Sequence, residues 1–295
     1  MKNISVFAHF DKDNIIDDYV IYYLQALRAV SEKIIFVSDC DLDERELLKL
    51  DGIADFYLAQ KHGEYDFGSY KRGWKIALEN GLLADADTLT FANDSCYGPF
   101  YSLAPLYDEM NARGCDFWGI TGNRNFLEGN FYPCPESNDR HVQSYFMVFK
   151  KTVFETEVFA EFMKSIKKED DKLKIIEKYE IGLTNLLCES GFGYSCFYDS
   201  DIGEYNLMDL MQFASKKPSI FMKKTFLRII YFIPLLHCFL NKIKLNYESG
   251  MVVRNLKRIR RFRDFDVEFC RKLLVRVRLR EHQVCLLGRW ISYEK

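Results

Sequence analysis

The chain has 295 residues, of which 48% are hydrophobic and 28% are charged, so it is long and apolar enough to bury a substantial core. This composition argues against a disordered protein, and the nine cysteines form no CxxC or CxxxC pair, which argues against a zinc or redox motif. The net charge of −2 combines two opposite parts: residues 1–215 have 21 basic and 37 acidic side chains, whereas residues 216–295 have 20 and 6.

The charge contrast near residue 215 predicts two regions, a large acidic domain over 1–215 and a basic, mainly helical appendage over 216–295. The cysteines are odd in number and unpatterned, which is typical of a reducing compartment. The N-terminal residues enter a strand pattern directly, without the apolar run and cleavage site of a secretory signal. We therefore expect a cytoplasmic protein.

Strand and helix patterns alternate through the first two hundred residues. In chain order, they predict strand 4–9, helix 15–30, strand 33–38, helix 69–80, strand 88–92, helix 102–112, strand 116–120, a loop at 123–140, strand 145–149, and helices 157–166 and 175–190. This alternation predicts an α/β fold, with a parallel or mixed sheet flanked by helices and with ligands at the carboxyl ends of the strands.

The segment FANDSCYGP, residues 91–99, places Asn93, Asp94 and Ser95 directly after an apolar strand. One aspartate carboxylate together with phosphate oxygens suits Mg²⁺ or Mn²⁺, so Asp94 is the candidate metal ligand and its two neighbours are candidate ligand contacts. The alternative is an Asx-turn that simply ends the strand.

The segment HGEYDFGSYKRGW, residues 62–74, combines glycines, an acid and two bases where a helix is predicted to begin. Backbone N–H groups at a helix start can receive phosphate, with Lys71 or Arg72 as the countercharge. A structural turn with a solvated Lys-Arg pair explains the pattern equally well.

At the end of the first strand, the segment HFDKDN places His9, Asp11 and Asp13 in one polar cluster. The functional interpretation is a contact to the base or ribose of a nucleotide. The alternative is capping of the following helix by Asp13 or Asn14.

Glu180 in YEIGLT lies within an amphipathic helix pattern, where it is either a general base or an ordinary solvated glutamate. Asp116 and Trp118 in DFWG, together with Gln143 and Ser144 in HVQSYF, either line a site or satisfy buried backbone groups.

Six ordered segments carry a family resemblance: HFDKDNIIDDYVIYYLQAL, YDFGSYKRGW, FANDSCYGP, CDFWGIT, HVQSYFMVF and YEIGLT. Over roughly residues 6–195 they resemble the rhamnan synthesis protein F family of bacterial polysaccharide glycosyltransferases. The resemblance implies a GT-A-like (Rossmann-like) fold, a dTDP- or UDP-sugar donor, and a growing glycan or lipid-linked acceptor in cell-wall, capsule or O-antigen assembly. The namesake donor sugar is L-rhamnose on dTDP.

The resemblance also implies roles for individual residues. It makes Asp94 the metal-diphosphate residue, gives Asp66, Gly68 and Lys71 donor-site roles, and places Glu180 where inverting GT-A enzymes keep their base. The chain has Asn93-Asp94-Ser95 where an Asp-x-Asp arrangement is expected. Either a single carboxylate holds the ion or basic residues replace it.

The basic C-terminal region allows two interpretations. Its apolar segment 226–240 is too short to span a bilayer and contains Arg228 and Pro234. With the basic segment 254–263 it either docks on the anionic inner face of the cell membrane or packs on the catalytic domain or a second subunit of a homo-oligomer. The segment VRVRLR at 275–280 alternates like a strand, and no nucleic-acid recognition module accompanies the charge.

The resulting hypothesis is an inverting, metal-assisted glycosyltransferase of the hexosyltransferase class that uses a nucleotide-sugar donor. The alternatives are a non-catalytic glycan-binding or assembly subunit of a polysaccharide synthesis complex and a sugar-phosphate transferase.

Overall fold

A computed structural model of the chain describes residues 1–99, 102–124, 140–198 and 222–223. The strands are β1 (Asn3–His9), β2 (Lys33–Ser38), β3 (Phe56–Ala59), β4 (Thr88–Asn93), β5 (Cys96–Tyr97), β6 (Phe117–Arg124), β7 (Arg140–Val142), β8 (Phe146–Lys150), β9 (Tyr194–Tyr198) and β10 (Met222–Lys223). The helices are α1 (Asp18–Arg28), α2 (Glu44–Leu48), α3 (Tyr65–Glu79), α4 (Ala104–Ala112), α5 (Lys151–Phe154), α6 (Glu157–Ser165), α7 (Lys172–Ile175) and α8 (Gly182–Glu189). A π-helical turn, Ile176–Ile181, lies between α7 and α8.

The main sheet is mixed and has the strand order β3-β2-β1-β4-β8-β6-β7, with β9 also paired to β6. Strands β1 to β4 run parallel to one another, whereas β8 is antiparallel to both β4 and β6. Strand β6 therefore runs in the same direction as β1, β2 and β4, and all four carboxyl ends lie at one edge, called here the carboxyl edge. The predicted α/β fold, a mixed sheet with flanking helices, is confirmed.

Helix α3 forms the core on one face of the sheet. Its apolar side chains Phe67, Tyr70, Trp74 and Ala77 recur at helical spacing and are all buried. A Cβ added at Gly73 would lie 2.2 Å from Val6 Cγ1, so this glycine lets the helix lie directly against β1. The Tyr70 ring stacks on Phe91 with centroids 4.7 Å apart, which joins α3 to β4.

Several predicted boundaries differ from the structure. Helix α3 begins at Tyr65 rather than at 69, and β6 and β7 extend into both ends of the predicted loop 123–140. Strand β3 and helix α2 were not predicted, because β3 is a short edge strand that is only partly buried and α2 buries no side chain. The predicted helix 175–190 contains the π-helical turn.

The chain divides into two units, one of residues 1–97 and 103–218 and the other of residues 98–102 and 219–295. All residues of the site below belong to the first unit. The segments 226–240, 254–263 and 275–280 lie outside the described residues, so their membrane and oligomer roles stay predictions. Within the described part of the chain, no helix is both long enough and apolar enough to cross a bilayer.

Candidate functional site

Buried polar side chains collect at the carboxyl edge of the sheet. His9 and Ser38 are register partners at the ends of β1 and β2, and their side chains hydrogen-bond at 2.9 Å. Asn93 ends β4 beside Ala8 of β1 and is only 1% exposed. Asp94 follows it and is 6% exposed. Polar groups seldom occupy such positions unless they are hydrogen-bonded or bind a ligand.

Asn93 connects two of the sequence motifs. Its Nδ2 donates a hydrogen bond of 2.7 Å to Oδ2 of Asp66, which lies in the first turn of α3. Its Oδ1 accepts from the backbone N–H of Ser95 at 3.0 Å and from the Ser95 hydroxyl at 2.6 Å. Asp66, one of the candidate donor-site residues of α3, is therefore brought together with the 93–95 motif.

Asp94 is anchored to α1 and β1. The Tyr19 hydroxyl donates to Asp94 Oδ2 at 3.1 Å, and the Asp94 backbone N–H donates to the carbonyl of Ala8 at 3.3 Å. Burial raises the pKa of Tyr19 well above its usual value, and the negative charge of Asp94 raises it further. Tyr19 therefore stays protonated and remains a donor to the carboxylate.

Glu180 lies in the π-helical turn between α7 and α8, a rare distortion that is frequent at functional sites. Its Oε1 hydrogen-bonds His141 Nε2 at 3.0 Å, and its Oε2 accepts from both the backbone N–H and the hydroxyl of Ser144. Burial alone raises the pKa of Glu180, but the hydrogen bonds from His141 and Ser144 outweigh burial and lower it. Glu180 is therefore ionised at neutral pH.

The Glu180 network reaches Asn93 through the turn that precedes β8. The Ser144 carbonyl accepts from the Tyr70 hydroxyl at 2.8 Å, and the Tyr145 carbonyl accepts from the Asn93 backbone N–H at 3.2 Å.

Three carboxylates influence Tyr70. Burial raises its pKa well above the usual value, and the negative charges of Asp66, Glu180 and Asp94 raise it further. All three carboxylates are therefore within electrostatic range of one buried tyrosine.

Asp39 is a further candidate site residue, one that the sequence analysis missed. It follows β2, is 7% exposed, and its Oδ1 accepts from the backbone N–H groups of His62 at 2.5 Å and Gly63 at 2.8 Å. Asp39 follows a buried strand as Asn93-Asp94 does, so the same strand-end rule would have identified it.

Two predicted donor-site residues of α3 have structural roles instead. Lys71 Nζ donates to the carbonyls of Lys164 at 3.3 Å and Ile166 at 2.6 Å, where it caps the end of α6. A Cβ at Gly68 would lie 2.2 Å from the Cβ of Glu64, so this glycine is explained by close packing at the start of α3. The phosphate-binding interpretation of this segment is thereby weakened.

Asp116 and Trp118 lie away from the carboxyl edge, which favours the structural alternative stated for them over a site-lining role. Trp118 is fully buried and packs edge-on against Tyr107, with centroids 5.1 Å apart. Asp116 precedes β6 at the opposite edge of the sheet, and its Oδ2 accepts from the Gly193 backbone N–H at 2.9 Å.

The remaining predicted residues lie near carboxyl ends of strands. Gln143 Oε1 accepts from the Thr121 hydroxyl of β6 at 2.7 Å.

Asp11 follows β1 and forms a local turn, because its Oδ1 accepts from the Asp13 backbone N–H at 2.8 Å. The capping prediction for Asp13 and Asn14 is wrong, since α1 begins after Asp17.

The donor set fits a divalent cation only in part. Residues 1–99, 102–124, 140–198 and 222–223 contain no group of three or more His, Cys, Asp or Glu side chains able to hold a metal ion. Asp66 and Asp94 nevertheless supply two carboxylates at one edge. Mg²⁺ is commonly held by one or two carboxylates together with substrate phosphates. These residues therefore fit an ion shared with a bound diphosphate.

Comparison with known proteins gives a distant curated relative and several solved structures. Uncharacterized protein y4gN of Sinorhizobium fredii (strain NBRC 101917 / NGR234) is 27% identical over 175 residues, which are 59% of this chain and 43% of that protein. The chain thus spans less than half the length of this relative.

Two of the solved structures illustrate the similarity. 4-Diphosphocytidyl-2C-methyl-D-erythritol synthase from Anaerococcus prevotii DSM 20548 is 14% identical with a TM-score of 0.40, covering 72% of this chain and 96% of that one. Core-mannan synthase A from Aspergillus fumigatus, in its Mn/GDP form, is 10% identical with a TM-score of 0.34, covering 56% and 63%.

The family comparison covers most of the chain. The model of the family described as rhamnan synthesis protein F matches residues 34–292. This match confirms the family resemblance, overlaps its range over residues 34–195, and continues through most of the basic C-terminal region. The chain therefore belongs to the rhamnan synthesis protein F family.

Proposed function

We propose that the chain is a glycosyltransferase that moves rhamnose, or another hexose or deoxyhexose, from a dTDP- or UDP-sugar to a growing cell-surface polysaccharide or lipid-linked glycan. Membership of the rhamnan synthesis protein F family supports this proposal. The observation that carries it is the hydrogen bond between Asn93 and Asp66, because it unites two distant motifs at the edge where α/β sheets bind ligands.

The donor diphosphate is proposed to lie beside Asp94 and Asp66. These two carboxylates would hold Mg²⁺ or Mn²⁺ there, and the ion would neutralise the charge that develops on the leaving nucleoside diphosphate. Tyr19 holds the Asp94 carboxylate in place from α1.

The nucleoside is proposed to lie at the ends of β1 and β2. His9, Ser38 and Asp39 are side by side there, and they offer hydrogen-bonding groups for a base or ribose. Asp39 is held by two backbone N–H groups, so its position does not depend on the ligand.

Glu180 is the proposed base of an inverting transfer. It is ionised at neutral pH, and 16% of its side chain is exposed, which leaves room for an acceptor hydroxyl to approach. His141 and Ser144 fix the carboxylate, and an acceptor O–H would replace the hydroxyl of Ser144 as a donor. Glu180 would then remove the proton as the acceptor oxygen attacks the sugar.

The basic region 216–295 is proposed to hold the enzyme at the cytoplasmic face of the membrane. This region has 20 basic and 6 acidic side chains, so it would attract anionic lipids. Each Lys or Arg near the membrane surface contributes about 1 kcal/mol to the binding free energy. The proposed lipid-linked acceptor would then lie at the same surface as the enzyme.

A donor screen tests the proposed function. The full chain is melted with dTDP-rhamnose and a set of UDP-sugars, each with and without Mg²⁺ or Mn²⁺, and sugar transfer is followed by the mass of the product. A ligand at 100 times its Kd stabilises the folded state by about 2.7 kcal/mol, so the true donor raises the melting temperature by several degrees. If no nucleotide sugar raises it and none is consumed, the proposal is wrong. A product heavier by a sugar phosphate would establish the sugar-phosphate transferase alternative.

A further inference from the structure

The strand-end sequence 93–95 contains one carboxylate, that of Asp94, where an Asp-x-Asp arrangement would have two. The structure shows which residue brings a second carboxylate to this place. Position 93 is an asparagine, and its amide nitrogen lies 2.7 Å from Asp66 Oδ2. A carboxylate from α3 is therefore in direct contact with the end of β4. Asp66 is half-buried, whereas Asn93 is fully buried, so Asp66 is the more accessible of the pair.

The orientation of the Asn93 amide is fixed by its other partner. Ser95 donates both its backbone N–H and its hydroxyl to Asn93 Oδ1. Both are donors to an acceptor atom, so this side of the amide is the oxygen and the nitrogen faces Asp66. Every polar atom of the buried side chain is thereby used.

An aspartate at position 93 would not serve the same purpose. Its second oxygen would lie at about the same short distance from Asp66 Oδ2, and two acceptor oxygens so close repel each other because neither offers a hydrogen. The amide nitrogen instead gives Asp66 a hydrogen-bond donor at this edge. The start of α3 also favours an acidic side chain at position 66, because the partial positive end of a helix stabilises an acid in its first turn.

Asp66 and Asp94 both adjoin Asn93. The Asp66 carboxylate accepts a hydrogen bond from the Asn93 side chain, and Asp94 is the next residue in the chain. Asp94 is held by Tyr19. Each carboxylate thus has its own neutral donor: Asn93 for Asp66 and Tyr19 for Asp94.

We infer that Asn93 is a positioning residue that lets α3 supply, through Asp66, the second carboxylate that the strand-end sequence 93–95 lacks. This inference rests on the proposed function, in which a divalent cation is shared between the protein and the donor diphosphate. It specifies that Asp66 contacts the cation and that Asn93 acts only through Asp66.

Four variants of the full chain test this inference: Asp66→Asn, Asn93→Asp, the double exchange Asp66→Asn/Asn93→Asp, and Asn80→Asp as a control. Asn80 is exposed just beyond the opposite end of α3, so it receives the same change far from the site. Melting temperature reports the fold. Binding of Mn²⁺, measured by electron paramagnetic resonance with dTDP or UDP present and without an acceptor, reports the site independently of turnover.

The expected pattern separates position from charge. Asp66→Asn retains a side-chain hydrogen bond to Asn93, so its melting temperature stays near that of the unmodified protein while Mn²⁺ affinity falls at least tenfold. Asn93→Asp lowers both quantities. The double exchange reverses donor and acceptor, so it recovers the melting temperature and recovers part of the Mn²⁺ affinity, because one of the two carboxylates then lies at position 93. Asn80→Asp changes the Mn²⁺ affinity less than twofold.

Three results would each overturn the inference. The first is that Asp66→Asn binds Mn²⁺ with the affinity of the unmodified chain. The second is that the double exchange does not recover the melting temperature lost in Asn93→Asp, and the third is that the unmodified chain shows no nucleotide-dependent Mn²⁺ binding.

Failure of the proposed function gives a different combination of results. If the Mn²⁺ pattern is as expected but no sugar is transferred from any donor, the inference stands and the glycosyltransferase proposal falls. If sugar is transferred while Asp66→Asn binds Mn²⁺ normally, the glycosyltransferase proposal stands and the inference about Asn93 and Asp66 falls.

Discussion

The phenolic oxygen of Tyr19 lies 3.1 Å from Oδ2 of Asp94 and donates a hydrogen bond to it. The two residues are 75 positions apart in the chain, one in α1 and the other directly after β4. The contact gives a buried carboxylate a neutral donor, and it sets the position of the residue on which the proposed diphosphate site depends.

The first prediction concerns this contact. Tyr19→Phe removes only the hydroxyl, and a hydrogen bond to a charged group contributes about 1.5–3 kcal/mol. We expect the apparent affinity for the nucleotide with Mn²⁺ to fall about tenfold, while the aromatic packing of position 19 against Tyr97 is retained. Calorimetric titration measures the affinity. An unchanged affinity would show that Tyr19 does not position Asp94.

The second prediction concerns Asp94 itself. Asp94→Ala removes the carboxylate proposed to hold the cation, so we expect sugar transfer to fall by about 10²–10³-fold or more while the chain remains folded. Initial rates and circular dichroism provide the two measurements. Asp85→Ala is the matched control, because Asp85 is highly exposed and forms a surface ion pair with Lys2. Full activity in Asp94→Ala would exclude the proposed role.

The third prediction concerns the proposed base. Glu180→Gln keeps the shape of the side chain but removes its charge, and general-base catalysis contributes about 10²–10⁴-fold, so we expect transfer to fall within that range. Binding of the donor alone should change little, since Glu180 is assigned to the acceptor side. If Glu180→Gln transfers sugar at the normal rate, Glu180 is a structural carboxylate that supports Ser144 and His141.

The fourth prediction is the pH dependence of stability. The pKa of Glu180 is lower in the folded chain than its usual value of 4.5. Ionised Glu180 therefore contributes stability above that value, and the contribution is lost as the pH falls through the folded-state pKa. Melting curves between pH 7 and pH 3 should show Glu180→Gln as the less stable protein at neutral pH, with the difference shrinking on acidification. A difference that is independent of pH would contradict the assigned hydrogen-bond network.

The fifth prediction separates Lys71 from the donor site. Lys71→Met removes the ammonium that caps α6, which we expect to cost about 1–2 kcal/mol and to lower the melting temperature by a few degrees. Donor KM should be unchanged. Lys75→Met on the same helix is the control, because Lys75 is exposed and forms a surface ion pair with Glu79. A raised donor KM in Lys71→Met alone would restore the phosphate-binding interpretation.

Much of the fold was predictable because buried strands have an unmistakable composition. The segments that form β1, β2 and β4 are short, apolar and rich in β-branched or aromatic residues, and each is buried along nearly its whole length. The edge strand β3 lacks this signal, since only one of its faces meets the core. The π-helical turn is invisible to periodicity, because one inserted residue changes the hydrogen-bond pattern without changing the composition.

The sequence by itself determined which polar residues follow the strands. It therefore placed Asn93, Asp94 and Ser95 at the carboxyl edge of the sheet, where α/β proteins bind ligands. Only the tertiary structure decided that Asp66 joins them, that Lys71 turns away to cap α6, and that Trp118 is buried in the core. The physical reason is that strand and helix patterns depend on neighbours a few residues apart. The contact between Asp66 and Asn93 instead depends on how closely α3 packs on the sheet across 27 positions of the chain.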